Sequence, residues 1–188
     1  LDTMPHKTIG LFAGNQGGKT ASIAEHYIKR ALGLHPIAEK NKLAKKIRCM
    51  SSSLPENDNA EENDNTQYLE LKKHTPPELV VKDITARQKN FIIRGKDGRE
   101  TIFEFRSRKQ DMQDLGKIQL CSVWHDEETP KGHREECKMR LLARKGDELF
   151  SLTPTNALTY TFDEIWQRAE IIYRTKAIRD KFPNLPQH

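Results

Sequence analysis

The chain has 188 residues, a formal net charge of +5 and 31% charged residues. This length suits one domain with a sizeable core, and no apolar run is long enough to cross a membrane as a helix. Three cysteines without metal-site spacing favour reduced thiols in a reducing cytosol, and the start of the chain lacks the apolar core of a signal peptide. Acidic residues are interspersed with the basic ones, so the net charge is only weak support for nucleic-acid binding.

The first predicted elements are a strand, a loop and a helix. Residues 7–12 read KTIGLF, an apolar run of strand type. After the loop, apolar residues recur at the spacing of one helix face, and they are Ala24, Tyr27, Ile28, Ala31 and Leu32. Residues 13–20 read AGNQGGKT and match the phosphate-loop consensus G-x-x-x-x-G-K-[ST], except that Ala13 stands at the first glycine.

This order predicts a phosphate-binding loop, because the free N–H groups of the loop and of the helix N-terminus converge on an anion. Lys19 would reach the β- and γ-phosphates of a nucleotide, and the Thr20 hydroxyl would bind Mg²⁺. The other predicted nucleotide-binding residues are Gly14, Asn15, Gln16, Gly17, Gly18 and Ala21. The alternative is a strand-to-helix turn that happens to end in Gly-Lys-Thr.

Further along, strands and helices alternate. A strand is predicted at 45–52, a solvated loop at 54–67, a short helix that ends before Pro76 and Pro77, and a hairpin of 90–95 with 100–107 around an Asp-Gly turn. A strand at 117–128, a helix at 131–146, a strand with its loop at 147–156 and an amphipathic helix at 162–178 follow. Such alternation predicts an α/β fold with a largely parallel central sheet and helices on both faces.

A second chemical stretch is LCSVWHDEE, residues 120–128, in which an apolar strand delivers acidic residues at its end. Ligands of open α/β sheets bind at the carboxyl ends of strands, so Asp126 is predicted to hold Mg²⁺. Glu127 is then placed to act as a general base toward water. The alternative is an acidic turn after a buried strand.

The third stretch is FSLTPTN, residues 150–156, an apolar strand that ends in hydroxyl and amide side chains. Lys19 and Asp126 are far enough apart in the chain for another strand and helix to intervene. This spacing favours P-loop ATPases with an extra strand between the two motif strands. Thr153 and Asn156 are then expected to report the γ-phosphate from a strand beside the loop, and the alternative is a turn with an Asn cap.

Taken in order, GLFAGNQGGKT, VWHDEETP and LFSLTPTNALTYTFDEIW resemble the ATPase domain of the large terminase subunit of tailed bacteriophages. The resemblance runs from about Lys7 to Trp166. It implies an ASCE-type P-loop NTPase fold that uses ATP and Mg²⁺, with Walker A residues Lys19 and Thr20. It also implies a Walker B acid at Asp126, a catalytic base at Glu127 and a coupling segment from Thr153 to Asn156.

The resemblance further implies a motor that couples ATP hydrolysis to translocation of double-stranded DNA into a capsid, in the cytoplasm of an infected bacterium. Implied partners are the small terminase subunit, the portal protein and, during packaging, other copies in a homo-oligomeric ring, while the isolated chain is expected to be a monomer. Residues 1–182 would form the ATPase domain, without the adenine-binding segment upstream, and residues 183–188 a linker stub toward a nuclease domain. Nuclease activity is therefore not expected from this chain.

An arginine finger supplied by a neighbouring subunit would complete such a site. The candidates are Arg106, Arg108 and Lys109, with Arg108 taken as catalytic, and the alternative for each is an ordinary surface charge. For Arg134, Arg140 and Arg144 on the next helix, a solvated position is as good an interpretation as a role in the site. His125 and His133 lack a third ligand for zinc, and Trp124 and Trp166 are expected in the core. A P-loop helicase, or a nucleotide-binding switch without turnover, stays open as an alternative function.

Overall fold

The computed structural model of the chain describes residues 7–14, 17–42, 45–56, 64–116, 118–153 and 160–169. The chain divides into two compact units, residues 1–155 and residues 156–188. The predicted boundary between residues 182 and 183 lies outside the described residues, as does most of the predicted helix at 162–178. No helix in the described ranges is long and apolar enough to span a bilayer.

The first unit is built on a seven-stranded sheet in the order β1-β7-β6-β2-β5-β4-β3. Strands β1, β7, β6, β2 and β5 are mutually parallel, and β4 and β3 complete the sheet as antiparallel strands. The strands are β1 Thr8–Phe12, β2 Lys46–Ser51, β3 Val80–Lys82, β4 Asn90–Arg94, β5 Glu100–Ser107, β6 Ser122–Asp126 and β7 Asp147–Leu152. The predicted hairpin is β4–β5, and the predicted extra strand, β7, lies between β1 and β6.

Within the described ranges, four α-helices accompany the sheet: α1 Lys19–Ala31, α2 Ala38–Lys42, α3 Thr66–His74 and α4 Lys131–Leu142. As predicted, α3 ends before the two prolines, where a 3₁₀ turn at Pro77–Leu79 begins. Another 3₁₀ turn covers Met112–Leu115. Helix α2, strand β3 and these 3₁₀ turns are too short to leave a periodic signal in the sequence.

Three predicted elements differ in extent from those observed. The strand expected at 117–128 covers only Ser122–Asp126. The helix expected at 131–146 ends at Leu142, and Lys145 then takes a left-handed backbone with φ of +50° that no helix accommodates. In the second unit, the start of the predicted amphipathic helix is a π-helical turn, Phe162–Trp166.

Helices cover both faces of the sheet, which confirms the predicted layering. Successive residues of β2 point to opposite faces, and Cys49 and Met50 accordingly lie in two separate apolar clusters. The Cys49 cluster includes Tyr27 of α1 and Tyr68 of α3, whereas the Met50 cluster includes Cys137 of α4. The predicted apolar face of α1 is buried at Ala24, Tyr27, Ile28 and Ala31 and half-buried at Leu32.

Buried ion pairs join the helices to the amino end of β7. The guanidinium of Arg30 in α1 lies 3.1 Å from Asp147, which also binds Lys40 of α2. Arg134 of α4 lies 2.7 Å from Glu148. A solvated position, the alternative considered for Arg134, is therefore wrong, because Glu148 is buried in β7 and needs a cation to compensate its charge.

Candidate functional site

The loop from β1 to α1 carries the first part of the site. The Ala13 N–H donates to the Leu152 carbonyl at 3.3 Å, which holds the start of the loop against the end of β7. Gly18, the N-cap of α1, has φ of +70°, while a Cβ built there would meet nothing within 4 Å. Glycine therefore suits this position because of the backbone conformation, and there would be room for a side chain.

The amino end of α1 is suited to an anion. Among the described residues no side chain caps this end, and its first turn contains no acidic residue. The first N–H groups of a helix have no partner within the helix, so an anion can take their hydrogen bonds. The predicted residues Lys19, Thr20 and Ala21 form this first turn, and Gly14, Gly17 and Gly18 precede it. Asn15 and Gln16 lie outside the described residues.

Lys19 makes three hydrogen bonds with neutral acceptors. Its Nζ donates to the Ala13 and Gly14 carbonyls, each at 2.9 Å, and to Thr153 Oγ1 at 3.0 Å. All three ammonium protons are thus satisfied, yet none of these acceptors neutralises the positive charge. The ammonium group is therefore held at the loop and remains available to pair with an anion.

Asp126 lies at the end of β6 among hydroxyl groups. Oδ1 accepts from Ser151 at 2.6 Å and from Thr20 at 3.5 Å, and Oδ2 accepts from Thr66 at 3.1 Å. Burial raises the pKa of this carboxyl above its ordinary value and the negative charge of Glu127 raises it further, against the opposing effect of the three hydroxyls. A carboxylate beside a threonine hydroxyl is a donor set that Mg²⁺ accepts, with waters filling its other positions.

Glu127 follows with an unusual backbone. Its φ is +61°, in the left-handed region that non-glycine residues seldom enter, and its N–H donates to the Ser151 carbonyl at 2.9 Å. The carboxylate accepts two bonds from Thr153, one from the backbone N–H at 3.2 Å and one from Oγ1 at 2.9 Å. Because Thr153 Oγ1 also accepts from Lys19, the hydroxyl connects Lys19 to Glu127.

The candidate arginine fingers lie at the carboxyl end of β5. Arg108 donates from Nη1 to the Glu128 carbonyl at 2.9 Å, so in this chain it contacts the loop that carries Glu127. Arg106 pairs with Glu104 at 3.1 Å, and Lys109 is exposed. A role for any of them in a neighbouring subunit stays a prediction.

The two histidines near the acidic residues have structural contacts. His125 is buried, stacks on Phe150 and shares a hydrogen bond with Thr129 Oγ1 at 2.9 Å. Burial lowers its pKa to about 4, so the ring is neutral at neutral pH. His133 contacts the Gln110 carbonyl at 2.8 Å. In the part of the chain that is described, no group of three or more His, Cys, Asp or Glu residues could hold a metal ion.

The sequence did not predict that Ser151 and Thr66 would contact Asp126, and both of them do. Ser151 lies in β7, and its alternation with Thr153 could have placed both hydroxyls on the face near the loop. Thr66 follows a polar segment and gives no comparable signal. Thr153, the first residue of the predicted coupling segment, directly follows β7, and Asn156 is outside the described residues. Trp124 is buried as predicted, and Trp166 is half-buried in the second unit.

Comparison with known proteins bears on the fold. No family model matches the chain, and neither does any curated protein. Among solved structures, the chain is similar to the large terminase from a thermophilic bacteriophage, with a TM-score of 0.69 and 15% sequence identity. The match covers 87% of this chain and 38% of the terminase, so the chain spans less than half of that protein. The seven-stranded, mostly parallel sheet with its flanking helices is the P-loop NTPase fold found in that large terminase.

Proposed function

We propose that the chain is the ATP-hydrolysing motor domain of a phage DNA-packaging terminase. The observation that carries this proposal is the continuous contact from Lys19 through Thr153 to Glu127, with Thr20 and Asp126 beside it. A cation suited to phosphate, a metal-binding pair and a candidate base therefore meet at the carboxyl edge of the sheet, where α/β folds bind ligands.

The described residues suit Mg²⁺·ATP. Lys19 and the N–H groups of the first turn of α1 would hold the phosphates, while Thr20 and Asp126 would hold the magnesium. The acceptors that now hold Lys19 are neutral, so phosphate oxygens would compete well for its ammonium protons. When bound, the metal neutralises charge that develops on the phosphate oxygens.

Glu127 is the proposed general base. Each carboxylate oxygen has two lone-pair directions, and the bonds from Thr153 use one direction at each oxygen. Glu127 is thus oriented by Thr153 and keeps an acceptor position for a proton from the attacking water. Since the same hydroxyl accepts from Lys19, any displacement of the lysine toward phosphate would change the hydrogen bonding of the base.

The proposed partners follow from the similarity in fold to a phage large terminase. They are double-stranded DNA, a small terminase subunit, a portal protein and further copies of this chain in a ring, within the bacterial cytoplasm. Arg108 is the proposed catalytic arginine, and Asn156 is proposed to complete the coupling segment with Thr153. In this role Arg108 would act at the site of a neighbouring subunit, whereas within its own chain it donates to the Glu128 carbonyl.

The first test of this function is equilibrium binding of ATP by a Lys19→Ala variant. We expect tight binding to be lost, because the substitution removes the positive charge held at the loop. Lys29→Ala is the matched control, because Lys29 lies near the far end of α1 in an exposed pair with Glu25. Wild-type affinity in the Lys19 variant would contradict a phosphate-binding role for the loop.

The second test measures ATP turnover by the wild-type protein with and without duplex DNA. DNA-stimulated hydrolysis without strand separation is expected of a duplex translocase. Strand separation would instead identify a helicase, and nucleotide binding without turnover under any condition would identify a switch.

A further inference from the structure

The first turn of α3 approaches the end of β6, where the proposed metal ligand lies. Thr66 Oγ1 donates to Asp126 Oδ2 at 3.1 Å. The two residues are 60 positions apart in the chain and belong to different elements. Because the Ser151 and Thr20 bonds both reach Oδ1, Thr66 is the described hydroxyl that reaches the other carboxylate oxygen.

Helix capping does not account for the position of the Thr66 hydroxyl. The N-cap of α3 is Asn65, whose Oδ1 accepts from the Tyr68 N–H at 2.9 Å. The capping function of the helix is therefore fulfilled one residue earlier. The Thr66 side chain is available for Asp126.

The neighbours of Thr66 hold it in place. Asn65 Nδ2 donates to Ser51 Oγ at 2.9 Å and to the Ser53 carbonyl at 2.8 Å, next to the end of β2. Gln67 Nε2 donates to the Trp124 carbonyl in β6 at 3.2 Å. Asn65 and Gln67 are buried and hold the backbone on both sides of Thr66. The Thr66 side chain is exposed, so its position follows from that backbone and not from packing of its own.

We propose that Thr66 is a positioning residue of the metal site, and that it sets the orientation of the Asp126 carboxylate by holding Oδ2 while Ser151 holds Oδ1. A carboxylate bound at one oxygen can still rotate about its Cβ–Cγ bond, whereas bonds at both oxygens fix its plane. This inference rests on the proposed function, since it takes Asp126 to be a ligand of the magnesium that accompanies ATP. Groups that orient a metal ligand contribute about 10- to 100-fold to metal affinity.

The experiment compares the affinity for ATP in excess Mg²⁺ with the affinity in EDTA, and the ratio of the two isolates the contribution of the metal. In Thr66→Val we expect this ratio to fall about tenfold, with the affinity in EDTA unchanged. Thr66→Ser keeps the hydroxyl and should restore the wild-type ratio. Mn²⁺ titrated into the ATP complex, followed by the electron paramagnetic resonance signal of free Mn²⁺, measures the same change on the metal itself.

The matched control is Thr75→Val at the other end of α3. Thr75 Oγ1 donates to the Leu71 carbonyl at 2.7 Å, far along the helix from Asp126. This control should keep the wild-type ratio, and thermal melting of each variant checks that α3 stays folded. Thr66→Ala provides a second variant without the hydroxyl if the valine variant does not fold.

A wild-type ratio in both hydroxyl-free variants would overturn the inference, as would equal loss of affinity with and without Mg²⁺. Failure of Thr66→Ser to restore the ratio would overturn it too. If the wild-type protein itself binds ATP no better with Mg²⁺ than with EDTA, and takes up no Mn²⁺ with ATP, the proposed metal site is wrong and the inference falls with it.

Discussion

Two Asp-Glu pairs lie at opposite ends of the neighbouring strands β6 and β7, and their surroundings differ. Asp147 and Glu148 open β7 and are paired with buried cations, Arg30 and Lys40 for the aspartate and Arg134 for the glutamate. Asp126 ends β6 and Glu127 follows it, and the described groups that donate to them are hydroxyls and a backbone N–H. Within the described ranges, the same dipeptide is thus neutralised at one end of the sheet and left without a paired cation at the other.

The carboxyl pKa values follow this difference. Burial opposes ionisation of Asp147, but Arg30 and Lys40 outweigh it and hold the pKa of Asp147 below its ordinary value. At Asp126 burial and the charge of Glu127 prevail, and the pKa lies above its ordinary value. A buried carboxylate that the fold leaves uncompensated marks a place where a bound cation would be stabilising, which separates a candidate site from a structural ion pair.

The largest expected effect is on stability at the neutralised pair. Asp147→Asn leaves Arg30 and Lys40 buried without their carboxylate, and loss of one partner from a buried pair costs about 3–5 kcal/mol. Urea unfolding should show this loss for Asp147→Asn. Asp126→Asn, the same change in the other pair, should show no such loss in the absence of nucleotide. Equal destabilisation by the two substitutions would remove the distinction between the two pairs.

The next effect is on catalysis at the uncompensated pair. Glu127→Gln should reduce the rate of ATP hydrolysis by about 10²-fold or more while Mg²⁺·ATP binding is nearly retained, because a positioned base contributes about that much. Steady-state turnover and equilibrium binding measure the two quantities. Glu128→Gln is the control at the adjacent position. Loss of turnover in that control, with activity kept in Glu127→Gln, would identify Glu128 as the general base instead.

A smaller effect is expected at two serines, each of which donates to one of the two aspartates. Ser151 donates to Asp126 at 2.6 Å, and Ser122 donates to Asp147 at 2.5 Å. Ser151→Ala should weaken the Mg²⁺-dependent part of ATP binding about tenfold, as loss of a group that orients a metal ligand does. Ser122→Ala should leave ATP binding unchanged and lower the unfolding free energy instead. A change in metal dependence caused by Ser122→Ala would argue against separate roles for the two ends of the strands.

The last comparison concerns how the stability contributions of the two aspartates change with pH. A depressed pKa at Asp147 gives stability that is present above the ordinary value of about 3.9 and is lost as pH falls through the folded-state value. The raised pKa at Asp126 has the opposite sign, so ionised Asp126 lowers stability at neutral pH and this loss disappears as pH falls to about 4. Relative to wild type, Asp126→Asn should therefore be stabilised and Asp147→Asn destabilised at pH 7.

Unfolding free energies measured from neutral pH down to the acid range check both signs. The Asp126→Asn difference should vanish by about pH 4, where the Asp147→Asn difference begins to shrink. Differences of the same sign at neutral pH would contradict the assignment of the two environments.

Local patterns were enough to predict the central part of this fold. Helix α1 has a regular apolar face, and β6 and β7 are short apolar runs that end in polar groups. The spacing of apolar residues and the local composition therefore predict the type and order of these elements. Lys19, Asp126 and Thr153 could be grouped because carboxyl ends of parallel strands share one edge of a sheet. The resemblance to terminases added the expected roles.

Contacts between distant segments could not be predicted in this way. Thr66 reaches Asp126 only because α3 packs beside α1, and that packing depends on side chains spread over the whole core. The burial of Arg134 depends likewise on the charge of Glu148 in another element. Helix α4 ends early because of the left-handed Lys145, a residue type that carries no turn signal.

The left-handed backbone of Glu127 affects which residues evolution would retain at this position. A non-glycine residue in this conformation stores roughly 1–3 kcal/mol of strain, which glycine would relieve. Glu127→Gly should therefore make the folded chain more stable while it removes the carboxylate. A lineage that no longer needs this carboxylate would gain stability by losing it, so glutamate at this position would persist only under selection for activity.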